Sequence, residues 1–355
     1  MTNITRLNPE IILEIMELLD LSDICPLIET SPLFLQHFLT HRHQLLKSTV
    51  NDLNHRLVRC NFSMLLSALR LRCRHSENAP STQSEVREAE HASLRLYRHQ
   101  DARIELSTTA ELGLIHSARQ LLIELEGVTD SYAPKAWCEK QDSKMVKPAS
   151  LVLSLNEKRR FIQTAIHFET YCRMFFLQEK VLFKRNASIR QLFFNSTNET
   201  FVEQGPFYSI TYYVFNQYLT MIKNTTTNLP TTMPPSRDQV KQRSRWERQT
   251  RVEMLNFAHV LTSQGVGLLY KMQCMNLLTQ TEFMLDWFYK VSQSPDPLVL
   301  MVNGIDLHRK GTLEPRPWQP WEGIEGQSYR TLAPWRRGSY FWDRDRIQSL
   351  GGIPL

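Results

Sequence analysis

Apolar positions recur at helical spacing in the opening stretch Ile4-Thr-Arg-Leu7-Asn-Pro9-Glu10-Ile-Ile-Leu-Glu-Ile15-Met-Glu-Leu-Leu19-Asp-Leu21-Ser22-Asp-Ile24. At 100° per residue, Ile11, Ile15 and Leu18 form one row and Ile12, Met16 and Leu19 a second row beside it, with Glu10, Glu14 and Glu17 on the opposite side. Asn8 is a good N-cap, Pro9 fits the first helical position where no donor is needed, and Glu10 complements the helix dipole. Ser22-Asp23 predicts the cap of a second short helix through Ile24, Leu27 and Ile28. Ser31-Pro32 opens a third carrying Leu33, Phe34, Leu35, Phe38 and Leu39. Two adjacent apolar rows need neighbours on two sides, and a segment of about 50 residues has too little core to cover both. Either the rest of the chain or a partner covers the second row.

Helical spacing continues over 44–73 through Leu45, Leu46, Val50, Leu53, Leu57, Leu65, Leu66 and Leu69, and Ser76–Ser84 reads as a loop or linker. Further helices are predicted at about 85–105 and 109–126, the latter stopped by Gly127, with an irregular connection over 128–152. Ser154-Leu-Asn-Glu157 is a capping box opening a helix whose apolar positions go most of the way round, from Phe161 to Phe176, so it is expected at the centre of a C-terminal domain. Glu169 and Arg173 on it have the spacing of an i,i+4 pair, worth a few tenths of a kcal/mol if exposed. A helix follows at about 207–222. Asn224–Ser236, rich in Thr, Asn and Pro, reads as a mobile insertion, expected at 224–236. Two long helices are predicted from Trp246 to about Val291, broken near Gly265-Val-Gly267, before a Pro- and Trp-rich tail from Pro295.

Composition narrows the class. With 355 residues, 42% hydrophobic and 22% charged, the chain can bury one large domain or two modest ones beside a small one. Only 12 glycines accompany the long periodic runs, which argues against a sandwich or propeller, and no internal repeat marks a solenoid. A net charge of +6 from 42 basic and 36 acidic residues permits an acidic partner without demanding nucleic acid. Cys25, Cys60, Cys73, Cys138, Cys172 and Cys274 lie scattered without a Cys-x-x-Cys pair and read as reduced core cysteines. No secretory signal and no run long enough to span a bilayer is evident, so cytoplasm or nucleus is the expected location.

The opening residues resemble a known family. Leu-x-Pro-Glu-Ile-Ile-x-Glu-Ile, then Leu-Asp-x-Ser-Asp-Ile, then Leu-x-x-x-Ser-Pro-x-Phe is similar to an F-box, over about residues 4–48, a little over a tenth of the chain. The chain departs from the family pattern at Asn8, which takes the place of the usual first Pro, and at Pro26 in the second helix. Ser-Leu-x-Glu-x-x-Arg-Phe and Phe-Glu-Thr-Tyr-Cys-Arg within 154–173, together with Tyr340-Phe-Trp-Asp-Arg344, resemble F-box proteins of filamentous fungi, whose helical C-terminal regions carry no assigned chemistry. The resemblance implies docking on a Skp-family adaptor, through it a cullin of an SCF-type ubiquitin ligase, and selection of a protein target by the C-terminal region. On this reading Leu7, Pro9, Ile11, Ile12, Ile15, Leu19, Leu21, Ile24 and Leu27 are the adaptor-facing or F-box core residues, the sequence leaving open which side each takes.

Three other groups carry candidate chemistry. Lys241, Arg243, Arg245, Arg248 and Arg251 around Trp246 could track a nucleic-acid backbone and stack a base, whereas a solvated helix start is the commoner meaning of such a run. Trp318, Trp321, Trp335 and Trp342, four of the seven tryptophans, fit a target-binding surface, though such residues more often anchor an irregular tail. His41-x-His43 and His55 match no zinc spacing, Gly265-x-Gly267 lacks a third glycine, and no phosphate-binding or nucleophile motif is present. The expectation is a mainly α protein: a three-helix F-box at 4–48, a helical extension and linker at 49–84, and an irregular all-helical interaction domain at 85–350. No cofactor, metal or catalytic residue is expected. A nucleic-acid-binding regulator, an F-box protein acting outside the ligase, and an enzyme assembled from distant residues are the alternatives.

Overall fold

Asn8 caps the first helix as its side chain allows, Oδ1 accepting from the Glu10 N–H at 3.2 Å, and Pro9 stands at the first helical position. The computed structural model describes residues 7–57, 62–75, 83–98, 107–108, 110–140, 151–177, 180–183, 189, 193, 205–227, 237–293 and 337–348. Among these residues the N-terminal helices are α1 (Pro9–Leu18), α2 (Leu21–Thr30) and α3 (Pro32–Leu57), and α1 and α2 both pack on α3. The cap of α2 lies earlier than expected, at Asp20, whose carboxylate makes no capping hydrogen bond and pairs instead with Arg119. Pro26 sits inside α2, where the carbonyl it leaves without a helical donor belongs to exposed Ser22. Non-helical backbone at His41 kinks α3, which runs on across residue 48 instead of ending there.

The remaining helices are α4 (Phe62–His75), α5 (Gln83–Arg98), α6 (Leu112–Lys140), α7 (Leu155–Phe175), α8 (Gly205–Thr227), α9 (Arg237–Glu247), α10 (Arg251–Thr262), α11 (Gly265–Cys274), α12 (Leu277–Gln293) and α13 (Arg344–Gln348). One antiparallel hairpin, β1 (Phe176–Leu177) and β2 (Lys180–Val181), pairs Phe176 with Val181. The mainly α expectation therefore holds. The predicted capping box is present, with Ser154 Oγ accepting from the Glu157 N–H at 3.1 Å and Glu157 Oε2 accepting from the Ser154 N–H at 2.9 Å. Helix α7 is buried nearly all round, with α4, α6, α8 and α11 packed against it. No helix of the described residues is long and apolar enough to cross a membrane.

Three expectations are corrected. Gly127 does not stop α6, which continues through Pro134 to Lys140. Its missing Cβ instead makes room for the Tyr270 ring of α11, which a side chain there would overlap. The stretch from Trp246 to Val291 begins at the end of α9 and then holds α10, α11 and α12 rather than two helices, with breaks at 248–250, 263–264 and 275–276. The expected insertion at 224–236 begins inside α8, where Thr225 is buried. Residues 228–236 and residues 76–82 of the linker expected at 76–84 lie outside the described residues, and Gln83 and Ser84 open α5.

Candidate docking face of the N-terminal helices

The two apolar rows of α1 have opposite fates. Ile12 and Met16 are buried at 1% and 0% exposure, and Leu19 is half-buried against the same core. Ile11, Ile15 and Leu18 stand exposed at 45%, 36% and 87%, with Glu10, Glu14 and Glu17 also exposed. Among the other predicted residues, Leu21 and Ile24 are buried, Leu7 and Leu27 half-buried, and Pro9 exposed. The nine predicted residues thus divide into an inward set (Ile12, Leu21 and Ile24, with Leu7, Leu19 and Leu27 at the edge) and an outward set of Pro9, Ile11 and Ile15. Leu18, the third member of the outward row, is the most exposed of all. On α3 the same split recurs, Phe34 and Phe38 facing in and Leu35 and Leu39 facing out.

The three helices are held at a set orientation. Arg119 of α6 pairs with Asp20 at 2.6 Å, and Arg42 Nε donates to the Thr108 carbonyl at 2.7 Å while its Nη2 reaches the Ala110 carbonyl. His43 Nδ1 lies 2.9 Å from Thr108 Oγ1, Gln44 Nε2 donates to Glu17 Oε1 at 2.5 Å, and Arg56 pairs with Glu126. Burying Ile11, Ile15 and Leu18 against a partner would contribute roughly 5 kcal/mol before association costs.

Of the four candidate tryptophans, Trp318, Trp321 and Trp335 lie outside the described residues. Trp342 packs inward. It meets Trp137 and Phe161 edge-on at 4.9 and 5.5 Å between centroids, and its indole N–H donates to the Arg337 carbonyl at 2.8 Å. Phe341 stacks on Phe161 at 4.1 Å, Tyr340 lies over Gly205, and Asp343 pairs with Arg160. Residues 337–348 therefore form a strap across α6, α7 and the start of α8. The two stretches at 154–173 and 340–344 that carried the C-terminal resemblance meet here, through Arg160, Asp343 and Glu157.

Trp246 and three of the five cations around it, Arg243, Arg245 and Arg248, are likewise engaged within the fold. Trp246 is fully buried, edge-on to Phe257 and Phe288, with its N–H donating to Thr226 Oγ1 at 3.2 Å, so its ring is closed to a base. Arg243 pairs with Glu247, Arg245 pairs with Glu253 and lies over the Phe288 ring, and Arg248 donates to the Ser244 carbonyl. Arg243 and Arg245 lie toward the C-terminal end of α9, where the dipole favours cations, rather than at the helix start that the sequence suggested. His37 and His41 stack at 6.4 Å, and no group of His, Cys, Asp or Glu among the described residues could hold a metal. Cys172 is buried, Cys25 and Cys138 are half-buried, and Cys274 is exposed, against the core position expected of it.

A buried charge network escaped the sequence. Glu169 Oε1 accepts from Arg173 Nε at 2.7 Å and from Arg72 Nε of α4 at 2.6 Å, and Arg72 also pairs with Glu124 of α6 at 2.7 Å. Glu169 Oε2 accepts from the Val266 N–H at 2.7 Å. Burial alone would raise the Glu169 carboxyl, but the charges and hydrogen bonds of Arg173 and Arg72 outweigh it and hold the group down at about 2. Gly265-x-Gly267 belongs to this network. Gly265 has φ +80 and a Cβ on it would strike the Glu169 carboxylate, while one on Gly267 would crowd Glu124 and Arg72. An internal carboxylate thus occupies the helix N-terminus at which a glycine loop would hold an anion.

Comparison of the chain with protein-family models, with curated proteins and with solved structures finds no match.

Proposed function

We propose that the chain is an F-box substrate-recognition adaptor. Its N-terminal helices dock a Skp-family adaptor, and the helical body presents a protein target to an SCF-type ubiquitin ligase. The observation that supports the reading is the outward row Ile11, Ile15 and Leu18 on a helix whose neighbouring row, Ile12 and Met16, already supplies the core. An apolar row left at the surface of a domain that has met its own packing needs is what a docking helix requires. Holding adaptor and target at once raises the effective concentration of the ubiquitin donor at the target, and no side chain here touches the transfer chemistry.

The test is co-purification of the full chain with a Skp-family adaptor, comparing wild type with the double variant Ile11→Asp, Ile15→Asp. Both positions are outward, so the variant is expected to keep its helical circular dichroism while capture is lost. A folded wild-type chain that captures no adaptor overturns the proposal. Equal capture by wild type and double variant moves the docking surface off α1.

A further inference from the structure

The strap carries a sequence feature that docking does not use. In the sequence Arg336, which lies outside the described residues, and Arg337-Gly338 immediately precede Ser339, and two arginines at the third and second positions before a serine are what an arginine-directed protein kinase reads, each guanidinium pairing with a carboxylate of the kinase cleft. Ser339 is 8% exposed and sits in a turn in which Gly338 has φ +55 and the Phe341 N–H donates to the Gly338 carbonyl at 3.0 Å. A Cβ on Gly338 would crowd Ala136 and Phe341.

The strap is attached largely through side chains. Phe341 and Trp342 lie in the aromatic cluster of Tyr132, Trp137 and Phe161. Asp343 pairs with Arg160, Arg346 Nε donates to buried Glu157 Oε1 at 2.7 Å, and Arg346 Nη2 donates to the Val152 carbonyl at 2.6 Å. Among the described residues its backbone meets the body through side chains of α7, the Phe341 carbonyl accepting from Arg160 Nε at 2.8 Å and the Asp343 N–H donating to Glu157 Oε1 at 3.0 Å. Its backbone–backbone bonds are local, such as Ile347 N–H to the Asp343 carbonyl at 3.1 Å, so it can lift as one unit without breaking a sheet or a helix of the body.

We propose that Ser339 is a phosphorylation site for a kinase of this arginine-directed class, and that phosphorylation holds the strap off the α6–α7 face. Ser339 Oγ displaces ADP from the γ-phosphorus of ATP: the Oγ–P bond forms, the bond from that phosphorus to the bridging oxygen breaks, and the hydroxyl proton passes to the kinase's base. A phosphate near a double negative charge has no room at a position 8% exposed, so the modified strap cannot reseat. Its departure uncovers Trp137, Tyr132 and Phe161, an aromatic face of α6 and α7.

The test incubates the full chain with ATP and the catalytic subunit of an arginine-directed serine kinase, and maps phosphate by mass spectrometry. Wild type is compared with Ser339→Ala, with Trp342→Ala and with the milder strap variant Arg346→Ala, and a synthetic peptide of residues 333–343 controls for kinase competence. Phosphate is expected on Ser339, absent from Ser339→Ala, and entering at least about tenfold faster in a loosened strap. Tryptic cleavage after Arg344 is expected to quicken about tenfold or more once Ser339 is modified. Phosphorylation of the peptide with none at Ser339 of any chain overturns the proposal. So does a modified chain whose cleavage at Arg344 is unchanged or slower, the outcome if neighbouring arginines clasp the phosphate and tighten the strap.

Discussion

The Glu169 carboxylate lies across the N-terminus of α11, its Oε2 accepting from the Val266 N–H at 2.7 Å while Oε1 serves Arg72 and Arg173. One buried charge thereby ties α4, α7 and α11 together. Glu169→Gln takes the counter-charge from Arg173 and leaves Arg72 with Glu124 alone, and breaking a buried pair this way costs about 3–5 kcal/mol. Urea unfolding should show that loss. An unchanged midpoint would mean that water compensates the arginines.

Gly265→Ala should be costly for a separate reason. Backbone at φ +80 strains a side-chain-bearing residue by about 1–3 kcal/mol, and the new Cβ meets the Glu169 carboxylate as well. Gly113→Ala, with open space around it, is the control and should be neutral or slightly stabilising.

Acid should weaken the fold in two stages. His167 is buried beside Phe193 and Phe207, and burial pushes its imidazole down to about 4, so the unfolded chain binds that proton more readily. Stability is therefore full above the usual histidine value near 6.5 and declines as pH falls toward 4. Glu169, held at about 2 against an ordinary 4.5, contributes roughly 3 kcal/mol that is lost as pH falls from about 4.5 toward 2. Thermal melts between pH 7 and 3 should lose the first stage in His167→Phe and keep the second. A melting temperature independent of pH from 7 to 4 in wild type would contradict the first assignment.

The rows of α1 should separate in stability as they do in exposure. Ile12→Ala empties a core site and should cost about 2–5 kcal/mol, whereas Ile11→Ala should stay within about 0.5 kcal/mol. Denaturant midpoints of the two variants measure this directly, and equal losses would place both rows in the core.

Removing the ring of Phe341, which stacks on Phe161 and meets Tyr132 edge-on, should destabilise by about 3–5 kcal/mol. Arg346→Ala should cost less, since Glu157 keeps the N–H groups of Ser154 and Asp343 as donors. Calorimetry on the two variants should preserve that order.

Much of the secondary structure was legible along the chain, because its signals are local. Asn8-Pro9 at the start of α1, the Ser154–Glu157 capping box and the apolar periodicity of α1, α7 and α8 each act over a few residues and need no neighbour to be read. Gly127 misled for the same reason: a glycine that ends one helix by its backbone freedom can sit mid-helix when a ring such as Tyr270 needs the space. Glu169 and Arg173 were legible as a pair of the right spacing, but Arg72 stands 97 residues from Glu169, and only packing brought it there. The amphipathic period of α1 placed two apolar rows side by side. Which row became core and which stayed at the surface was decided by tertiary structure, since burial depends on where α2, α3 and α6 come to rest, and that rests on contacts whose members are far apart in the chain.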